Sequence, residues 1–424
     1  MFNFKPPRSV KPYKKYWKKI ASLSFLFLLI EFFDELNYAI EGAALPSIRH
    51  DLALTYAQVG LLLGLPHLLG AFIEPVLMLL GDTPLRKRLV IGGGLVVMLA
   101  LSLIATAQSF FILLAAVVLS FPASGAFVTL SQATLIDLNP RREPHMMARW
   151  TLFGSIGNLV GPLILAAGFS LLLGWRWVFF GLAGMALCLT ILVWLRPFPV
   201  HIPSSELDKA HPKPEVKKTF KNILGNLFAA LTNLNLLRWT GLLLISDLLL
   251  DIFTSYLPLY FTDVVGTTPA QASLLLSFGM AASLASDVVL IPLLEKIPGR
   301  TIVRLSALAV AILYPVWLFV PGVWAKVILV LVIKFITLGW YSVLQGEAYA
   351  SAPGRSGTVM AINSLAGIPG AIFPWVIGWS AEKIGLQSAM WILLLGPVCL
   401  ALFVPKAEAI SKPSQPSNSL SEKS

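Results

Sequence analysis

The sequence contains few cysteines and few charged residues, and each shortage excludes a class of protein. Its two cysteines, Cys188 and Cys399, both lie inside long apolar stretches, so they offer neither a disulfide framework nor the spacing of a metal site. Only 12% of the 424 residues are charged and 57% are hydrophobic; a soluble protein has about 25% charged residues. This composition excludes an ordinary soluble domain and predicts an integral protein of the lipid bilayer.

Catalytic signatures are also missing. The sequence has no P-loop, no G-x-S-x-G and no H-E-x-x-H motif, and it has no segment suited to a soluble catalytic or signalling domain. We therefore predict that the protein is not an enzyme, holds no cofactor and is not a nucleotide-driven pump. A polytopic membrane enzyme or a transporter-derived sensor is the competing class.

Long apolar segments, by contrast, fill the chain. A helix needs about 17–25 mostly apolar residues to cross a bilayer. Twelve segments qualify: 20–45, 56–80, 89–106, 110–137, 148–172, 176–196, 238–261, 270–295, 302–320, 324–350, 357–381 and 386–405. They predict an all-α polytopic membrane protein built from two six-helix bundles, residues 20–196 and 238–405. The proline-rich composition that follows the first bundle predicts a cytoplasmic linker over 197–237, with an interfacial helix at 219–234, and residues 406–424 are expected to be disordered.

The net charge of +11 is distributed by side of the membrane. Residues 1–19 contain no acid, and together with alternate loops they hold 27 of the 32 Lys and Arg residues. The opposite loops hold only four: Arg49, Arg176, Lys326 and Lys383. Because positive charge marks the cytoplasmic side, both termini are predicted to be cytoplasmic, in a bacterial inner membrane. The basic excess is thus a topology signal, and no nucleic-acid partner is expected.

The two halves of the chain resemble each other at a shift of 213 residues, or 212 in the first span. Matched positions include Ala57-Gln58 with Ala270-Gln271, Glu35 with Asp247, Glu74 with Asp287, Asp82 with Glu295 and Gln132 with Gln345. A repeat of this length indicates a duplicated helix bundle rather than a solenoid. Carboxylates recurring at equivalent membrane depths favour a transport site at the interface of the two repeats.

Acidic residues inside the spans are the first candidates for function. Span one carries an acidic stripe, and span seven carries a second one. A charge at the centre of a bilayer costs roughly 2.5–3.5 kcal/mol, so these groups must line a wet cavity or pair with neighbours. Carboxylates crowded in one apolar region cannot all stay ionised, which suits proton coupling. The candidates are Glu35 and Asp247, followed by Asp34, Glu31 and Asp251; a fixed ion-pair network with Lys334 is the alternative.

Other polar residues of the spans are candidates for binding and gating. His67 lies near the middle of span two, where a histidine relays protons, binds substrate or simply packs. The predicted substrate-binding residues are Tyr38, His67, Lys334, Gln132 and Gln345. Glu74 and Asp287 lie at matched depth in spans two and eight, which suits gating between the halves; a static pairing within each half is the alternative. Four acids near span ends are expected to serve topology or helix capping: Asp51, Asp137, Asp263 and Glu347.

Two local motifs, together with the 6 + 6 arrangement, carry a resemblance over residues 19 to 405. In the loop after span two, Asp82, Arg86 and Lys87 match the pattern G-x-x-x-D-R-x-G-R-K, although both of its glycines are replaced. In span five, Gly157-Asn158-Leu159-Val160-Gly161-Pro162 matches G-x-x-x-G-P. The chain therefore resembles the major facilitator superfamily, and the span-five motif is similar to that of its proton antiporters. The drug exporters' arginine in span four is replaced by Phe121, and the repeat places Lys334 opposite it.

The resemblance implies roles for these motif residues. The loop after span two acts as a cytoplasmic latch in the superfamily, and the Gly-Pro kink of span five seals one end of the cavity. The gating residues implied here are Asp82, Arg86, Gly157, Gly161 and Pro162, with close helix packing as the alternative for the glycines.

The sequence predicts a secondary transporter that works by alternating access and is coupled to protons. Its acidic stripes favour a small polar, cationic or zwitterionic organic solute, and the span-five motif favours efflux. The alternatives are uptake of a small metabolite by proton symport, and transport of a divalent metal at His67 and the carboxylates. The expected partners are the solute, protons and the lipid bilayer, and the protein is expected to function as a monomer.

Overall fold

A computed structural model describes residues 13–81, 84–139, 143–196, 233–337, 339–351, 362 and 367–406. The first six helices are α1 (Tyr13–Asp51), α2 (Tyr56–Gly81), α3 (Arg86–Thr106), α4 (Phe110–Asp137), α5 (Glu143–Ser170) and α6 (Gly174–Leu195). The second six are α7 (Leu234–Asp263), α8 (Pro269–Leu294), α9 (Gly299–Phe319), α10 (Val323–Ile336 and Trp340–Ala350), α11 (described at 362 and 367–370, and over Ile372–Ile384) and α12 (Leu386–Phe403). The predicted all-α class and the two six-helix halves are confirmed.

Ten of the described helices are long and apolar enough to cross a membrane. The acids Glu31, Asp34 and Glu35 lower the apolar content of α1, and only part of α11 is described. α1 begins at Tyr13, ahead of the span predicted to start at residue 20. The predicted N-terminal residues up to 12, the linker from 197 to 232 with its interfacial helix, and the tail from 407 lie outside the described residues.

The helix ends reproduce the repeat of the sequence. The starts of α2, α3 and α4 are related to those of α8, α9 and α10 by the same shift of 213, which takes Tyr56 to Pro269, Arg86 to Gly299 and Phe110 to Val323. The start of α2 and that of α8 also share one capping arrangement. Thr55 and Gln58 exchange hydrogen bonds of 2.9 and 3.2 Å before α2, and Thr268 and Gln271 exchange bonds of 3.0 and 3.2 Å before α8. Each box satisfies amide groups that the first helical turn leaves without partners.

The two halves meet through pairs of helices that the repeat relates. α2 packs against α11, and α8 packs against α5, which is the pair that the repeat relates to α2 and α11. α1 also contacts α7. We call the end of the bundle with Gly81, Asp137 and Leu195 the linker face. The opposite end, with Asp51, Tyr56 and Asp263, is the loop face.

Arginine–carboxylate pairs tie neighbouring helices at the linker face. Arg86 donates to Asp137 at 2.5 Å, joining α3 to α4. In the second half Arg300 donates to both oxygens of Glu347 at 2.6 Å, joining α9 to α10. Asp137 and Glu347 were expected to serve topology or capping, and they instead act as ion-pair partners at equivalent places.

Asp51 holds the loop face of the first half together. It accepts hydrogen bonds of 2.8 Å from the Trp175 indole and from Arg176, which also donates to the carbonyl of Ala107. Burial raises the pKa of the Asp51 carboxyl, but these hydrogen bonds and the Arg176 charge outweigh burial, so the pKa lies below its ordinary value of 3.8. The pair therefore stabilises the ionised form of Asp51.

The pH dependence of this clasp is testable with Asp51→Asn. Because the folded pKa is lower than the unfolded one, the stabilisation is present above pH 4 and is lost as pH falls through the folded pKa. We expect the variant to lose about 1 kcal/mol at pH 7, a value reduced because Asp51 is 40% exposed. Thermal unfolding across pH 3–7 measures the difference from wild type, which should shrink on acidification. A difference that does not change with pH would contradict this assignment.

Candidate functional site

A cavity of about 330 Å³ lies between the two halves. α1, α2, α3, α4 and α6 line it from the first half, and α7, α8 and α11 line it from the second. It reaches from Ile48, near the loop face, to Leu244 and Gly367, toward the linker face. Its size lies at the lower end of the range that binds small organic molecules, about 300–1,000 Å³.

Carboxylates dominate the polar lining of this cavity. Four of them line it: Glu41, Glu74, Asp247 and Asp251. None of the described lining residues is a lysine or an arginine. The Tyr38 hydroxyl donates to Asp251 at 2.7 Å and so joins α1 to α7 at mid-depth. The wall therefore attracts positive charge.

Asp251 lies in a local π-helical turn, Leu248–Ile252, within α7. Such turns occur often at functional sites because they interrupt the regular backbone hydrogen bonds. Here the carbonyl of Leu250 accepts a hydrogen bond of 3.3 Å from the Lys334 ammonium, which also donates to the Thr254 hydroxyl. Lys334 is 5% exposed and does not line the cavity. The structure thus places Phe121 in the wall, and its repeat partner Lys334 behind the wall.

Three predicted proton-coupling residues lie behind the α1 wall. Ser124 of α4 donates to Asp34, and Asn158 of α5 donates to Glu35 at 2.6 Å. Glu31 is 7% exposed and lies against Gly154, where an added Cβ would stand 2.7 Å from its carboxyl oxygen. Glu31, Asp34 and Glu35 therefore face α4 and α5, whereas Asp247 and Asp251 face the cavity.

The glycines of α5 create the close contact with α1. A Cβ at Gly157 would stand 2.4 Å from the carbonyl oxygen of Phe32, and one at Gly161 would stand 2.7 Å from that of Leu36. Pro162 is buried in the same helix. These three predicted gating residues thus contribute to packing within the first half, which was the alternative interpretation of the glycines.

His67 and Glu74 form the α2 wall of the cavity. The His67 ring lies 4.5 Å from the Phe121 ring, and its Nδ1 is 3.0 Å from the Leu63 carbonyl. Nδ1 therefore carries the proton in the neutral ring, which leaves Nε2 as an acceptor. Glu74 packs beside Gly125, in the π-helical turn Gly125–Thr129 of α4.

The remaining predicted residues lie elsewhere. Gln132 and Gln345 do not line the cavity, and Asp287 is exposed on α8. Arg86 forms the ion pair with Asp137 at the linker face. Asp82 lies outside the described residues. Among the described residues, no three His, Cys, Asp or Glu side chains are grouped so that they could hold a metal ion.

The sequence interpretation missed a cluster that closes the loop face, which we call the loop-face latch. Arg49 donates to Asp263 at 2.8 Å and lies 4.0 Å over the Tyr56 ring. The Tyr56 hydroxyl donates to the same Asp263 at 2.8 Å, and its amide donates to Glu382 at 2.9 Å. Each of these bonds joins the two halves, so Asp263 is more than a topological or capping residue.

A signal for this latch was present in the sequence. The loops of this face contain only four basic residues, so each has few competitors for the nearby acids. Glu41 was missed as a lining residue too, although it follows Tyr38, which does line the cavity, by three residues on one helical face.

Glycines bring the halves together beside the latch. A Cβ at Gly60 would stand 2.6 Å from the carbonyl oxygen of Pro374, and one at Gly64 would stand 2.2 Å from that of Ala371. From the other side, a Cβ at Gly378 would stand 2.2 Å from the Tyr56 carbonyl oxygen. The α2–α11 contact therefore closes the cavity toward the loop face.

Two six-helix halves around a central cavity with four carboxylates in its wall define a polytopic membrane transporter. The sequence matches the Major Facilitator Superfamily over residues 27–367, and the chain belongs to that superfamily. It is thus an integral multi-pass protein and a secondary transporter.

Solved structures with this fold show the same arrangement. A bacterial homolog of the human lysosomal transporter Spinster, inward-facing and occupied, has a TM-score of 0.70 and 15% identity over 93% of this chain and 97% of that one. The nucleoside transporter NupG has a TM-score of 0.69 and 14% identity, covering 90% and 97%. A POT family transporter has a TM-score of 0.67 and 14% identity, covering 90% and 95%. A search of curated protein sequences found no match.

Proposed function

We propose that the protein exchanges protons for a small organic cation or zwitterion by alternating access. The observation that carries this proposal is the charge of the cavity wall: four carboxylates, with no lysine or arginine among the described lining residues. An anionic solute would add like charge to this wall, whereas a cation neutralises it. The expected solute remains the polar, cationic or zwitterionic class that the acidic spans predict.

Exchange follows from competition for the same carboxylates. When the cavity is empty, a proton on Asp247 removes a negative charge from an apolar region. A bound cation supplies the positive charge instead, and the proton is released. The Tyr38 hydroxyl donates to Asp251 at 2.7 Å and so keeps that carboxyl group in place when the cavity is empty. Glu31, Asp34 and Glu35 extend the proton-holding region behind the wall.

The distribution of basic residues indicates which face of the protein lies in the cytoplasm. The positive-inside rule puts the linker face in the cytoplasm, so the closed loop face is external. A cavity closed at the external side faces the cytoplasm, a state that exporters and importers both adopt. Efflux is favoured instead by the span-five motif Gly157–Pro162, which is similar to that of proton antiporters. Rocking of the halves then breaks the loop-face latch and the α2–α11 contact.

Ligand binding tests the charge of the solute. In nanodiscs we expect tetramethylammonium and glycine betaine to raise the melting temperature more at pH 8 than at pH 6, because protons compete with the ligand. Acetate should not do so. Asp251→Asn should weaken tetramethylammonium binding at least tenfold, since it removes the charge but keeps the shape. Glu295→Gln, an exposed carboxylate beyond α8, is the matched control. Stabilisation by acetate alone would overturn the proposal.

Transport in proteoliposomes tests the direction of coupling. Adding tetramethylammonium outside acid-loaded vesicles should acidify the outer medium if the ions exchange. Proton symport, the alternative, would make the medium more alkaline. Coupling through the cavity predicts that Asp247→Asn abolishes either signal, whereas Glu295→Gln leaves it unchanged.

A further inference from the structure

The cavity extends beyond its acidic wall into the core of the first half. Apolar side chains from five helices line this extension, the N-half pouch: Leu45, Ile48, Leu62, Ile104, Leu113 and Phe179. Each of them is 5% exposed or less. The pouch is therefore a void inside the six-helix half, and it lies beneath the clasp that Asp51 forms with Arg176.

The second half has no such extension among its described residues. Its lining residues come only from α7, α8 and α11, the helices at the interface. The repeat explains the difference, since Ile48, Ile104 and Leu113 correspond to Tyr260, Trp317 and Lys326. These larger side chains fill the equivalent space in the second half.

The second-half residues form a closed cluster. The Tyr260 and Trp317 rings lie 4.6 Å apart. The Lys326 ammonium donates to the Tyr260 hydroxyl at 3.0 Å and to the Trp317 carbonyl at 2.8 Å. Smaller aliphatic residues at the equivalent positions leave the first half hollow. Empty cavities with an apolar lining stay dry and bind apolar groups.

We infer that the solute is an amphipathic organic cation, whose charged head binds the cavity carboxylates and whose apolar group occupies the N-half pouch. This inference rests on the proposed function, because it adds the apolar part of the same solute. Glu41 and Gly42 of α1 lie where the acidic wall meets the pouch. Seven residues of helix separate Glu41 from Ile48, roughly 10 Å at 1.5 Å per residue. That length admits a short alkyl chain or one aromatic ring.

A substitution at Gly42 can obstruct the entrance of the pouch without disturbing the fold. A Cβ built there meets nothing within 4 Å. Gly42→Leu therefore narrows the entrance to the pouch while leaving the carboxylates in place. Gly184→Leu is the matched control, because Gly184 is equally open but exposed on α6 and outside the cavity. Ile104→Trp is a second variant, which gives the first half the side chain that fills the second.

The probes are tetramethylammonium, butyltrimethylammonium and octyltrimethylammonium, and their dissociation constants are measured in nanodiscs by thermal stabilisation. For wild type and Gly184→Leu we expect affinity to rise about two- to fourfold for each added methylene while the chain still fits. Gly42→Leu and Ile104→Trp should abolish this gain yet bind tetramethylammonium within twofold of wild type.

The outcomes separate the two proposals. If both pouch variants keep the full gain with chain length, the apolar group does not enter the pouch and this inference is wrong, while the proposed function stands. If tetramethylammonium does not bind to the wild-type protein, or binds to Asp251→Asn as tightly as to wild type, the proposed function fails and this inference fails with it.

Discussion

Replacing Arg49 with alanine will open the loop face. The Arg49–Asp263 pair joins α1 to α7, and the side chains are only 27% and 23% exposed. Losing a partly buried hydrogen bond between charged groups costs about 1.5–3 kcal/mol. Because the pair exists only while the halves touch, this cost falls on the closed state, and the open fraction should rise about tenfold to a hundredfold. Asp263→Asn should act in the same direction.

The measurement is labelling of a reporter cysteine from the loop face. Gly42→Cys, with Cys188 and Cys399 replaced by alanine, reacts with an impermeant maleimide only when the loop face opens. Arg176→Ala is the control, since Arg176 lies on the same face but pairs with Asp51 inside one half. The charge reversal Arg49→Asp with Asp263→Arg should restore slow labelling. Equal labelling rates in the Arg49→Ala and Arg176→Ala variants would show that the latch does not hold the halves.

Gly64→Ala should open the same face by a different cause. Its Cβ would stand 2.2 Å from the Ala371 carbonyl oxygen, a backbone atom that cannot yield without separating α2 from α11. No charge changes, so agreement between this variant and Arg49→Ala would trace faster labelling to the closure itself rather than to altered electrostatics.

Gly157→Ala will destabilise the first half far more than Gly184→Ala, which adds the same methyl group at an open position. Its Cβ would meet the Phe32 carbonyl oxygen at 2.4 Å and the Leu36 amide nitrogen at 2.9 Å. Both are backbone atoms of α1, so the two helices must move apart. Overpacking of this kind costs about 1–3 kcal/mol, and separation would also weaken the bond from Asn158 to Glu35.

Gly184→Ala adds the same methyl group to α6, where a Cβ meets nothing within 4 Å. We expect no loss of stability there, and a gain of up to about 1 kcal/mol from the lower flexibility of alanine. Melting temperatures of the two variants in one detergent give the comparison. Equal melting temperatures would mean that α1 and α5 do not pack through Gly157.

Much of this architecture could be predicted from local features of the sequence. Long apolar segments specify membrane helices because lipid cannot satisfy backbone polar groups. The shift of 213 residues predicted two equivalent bundles, and the matched caps at Thr55 and Thr268 follow from that same local chemistry.

The candidate site was predictable only in part. The stripe on α1 was read as one unit, because residues three and four apart share a helical face. That face is wide enough to touch two environments: Tyr38 lines the cavity, whereas Asp34 and Glu35 contact Ser124 and Asn158. Spacing along a helix does not say which neighbour lies on which side of the stripe.

The sequence by itself therefore determined the membrane class, the duplication and the set of buried acids, since hydropathy, charge and repetition are properties of the chain. Only the tertiary structure decided which acids face the cavity, that Arg49 meets Asp263 across the halves, and that Lys334 lies behind the wall. It also showed the consequence of one difference between the repeats. Trp317 fills the core of the second half, whereas the smaller Ile104 at the equivalent position leaves space in the first half. The physical reason is that contacts between distant segments depend on how whole helices pack, and a local pattern does not encode that packing.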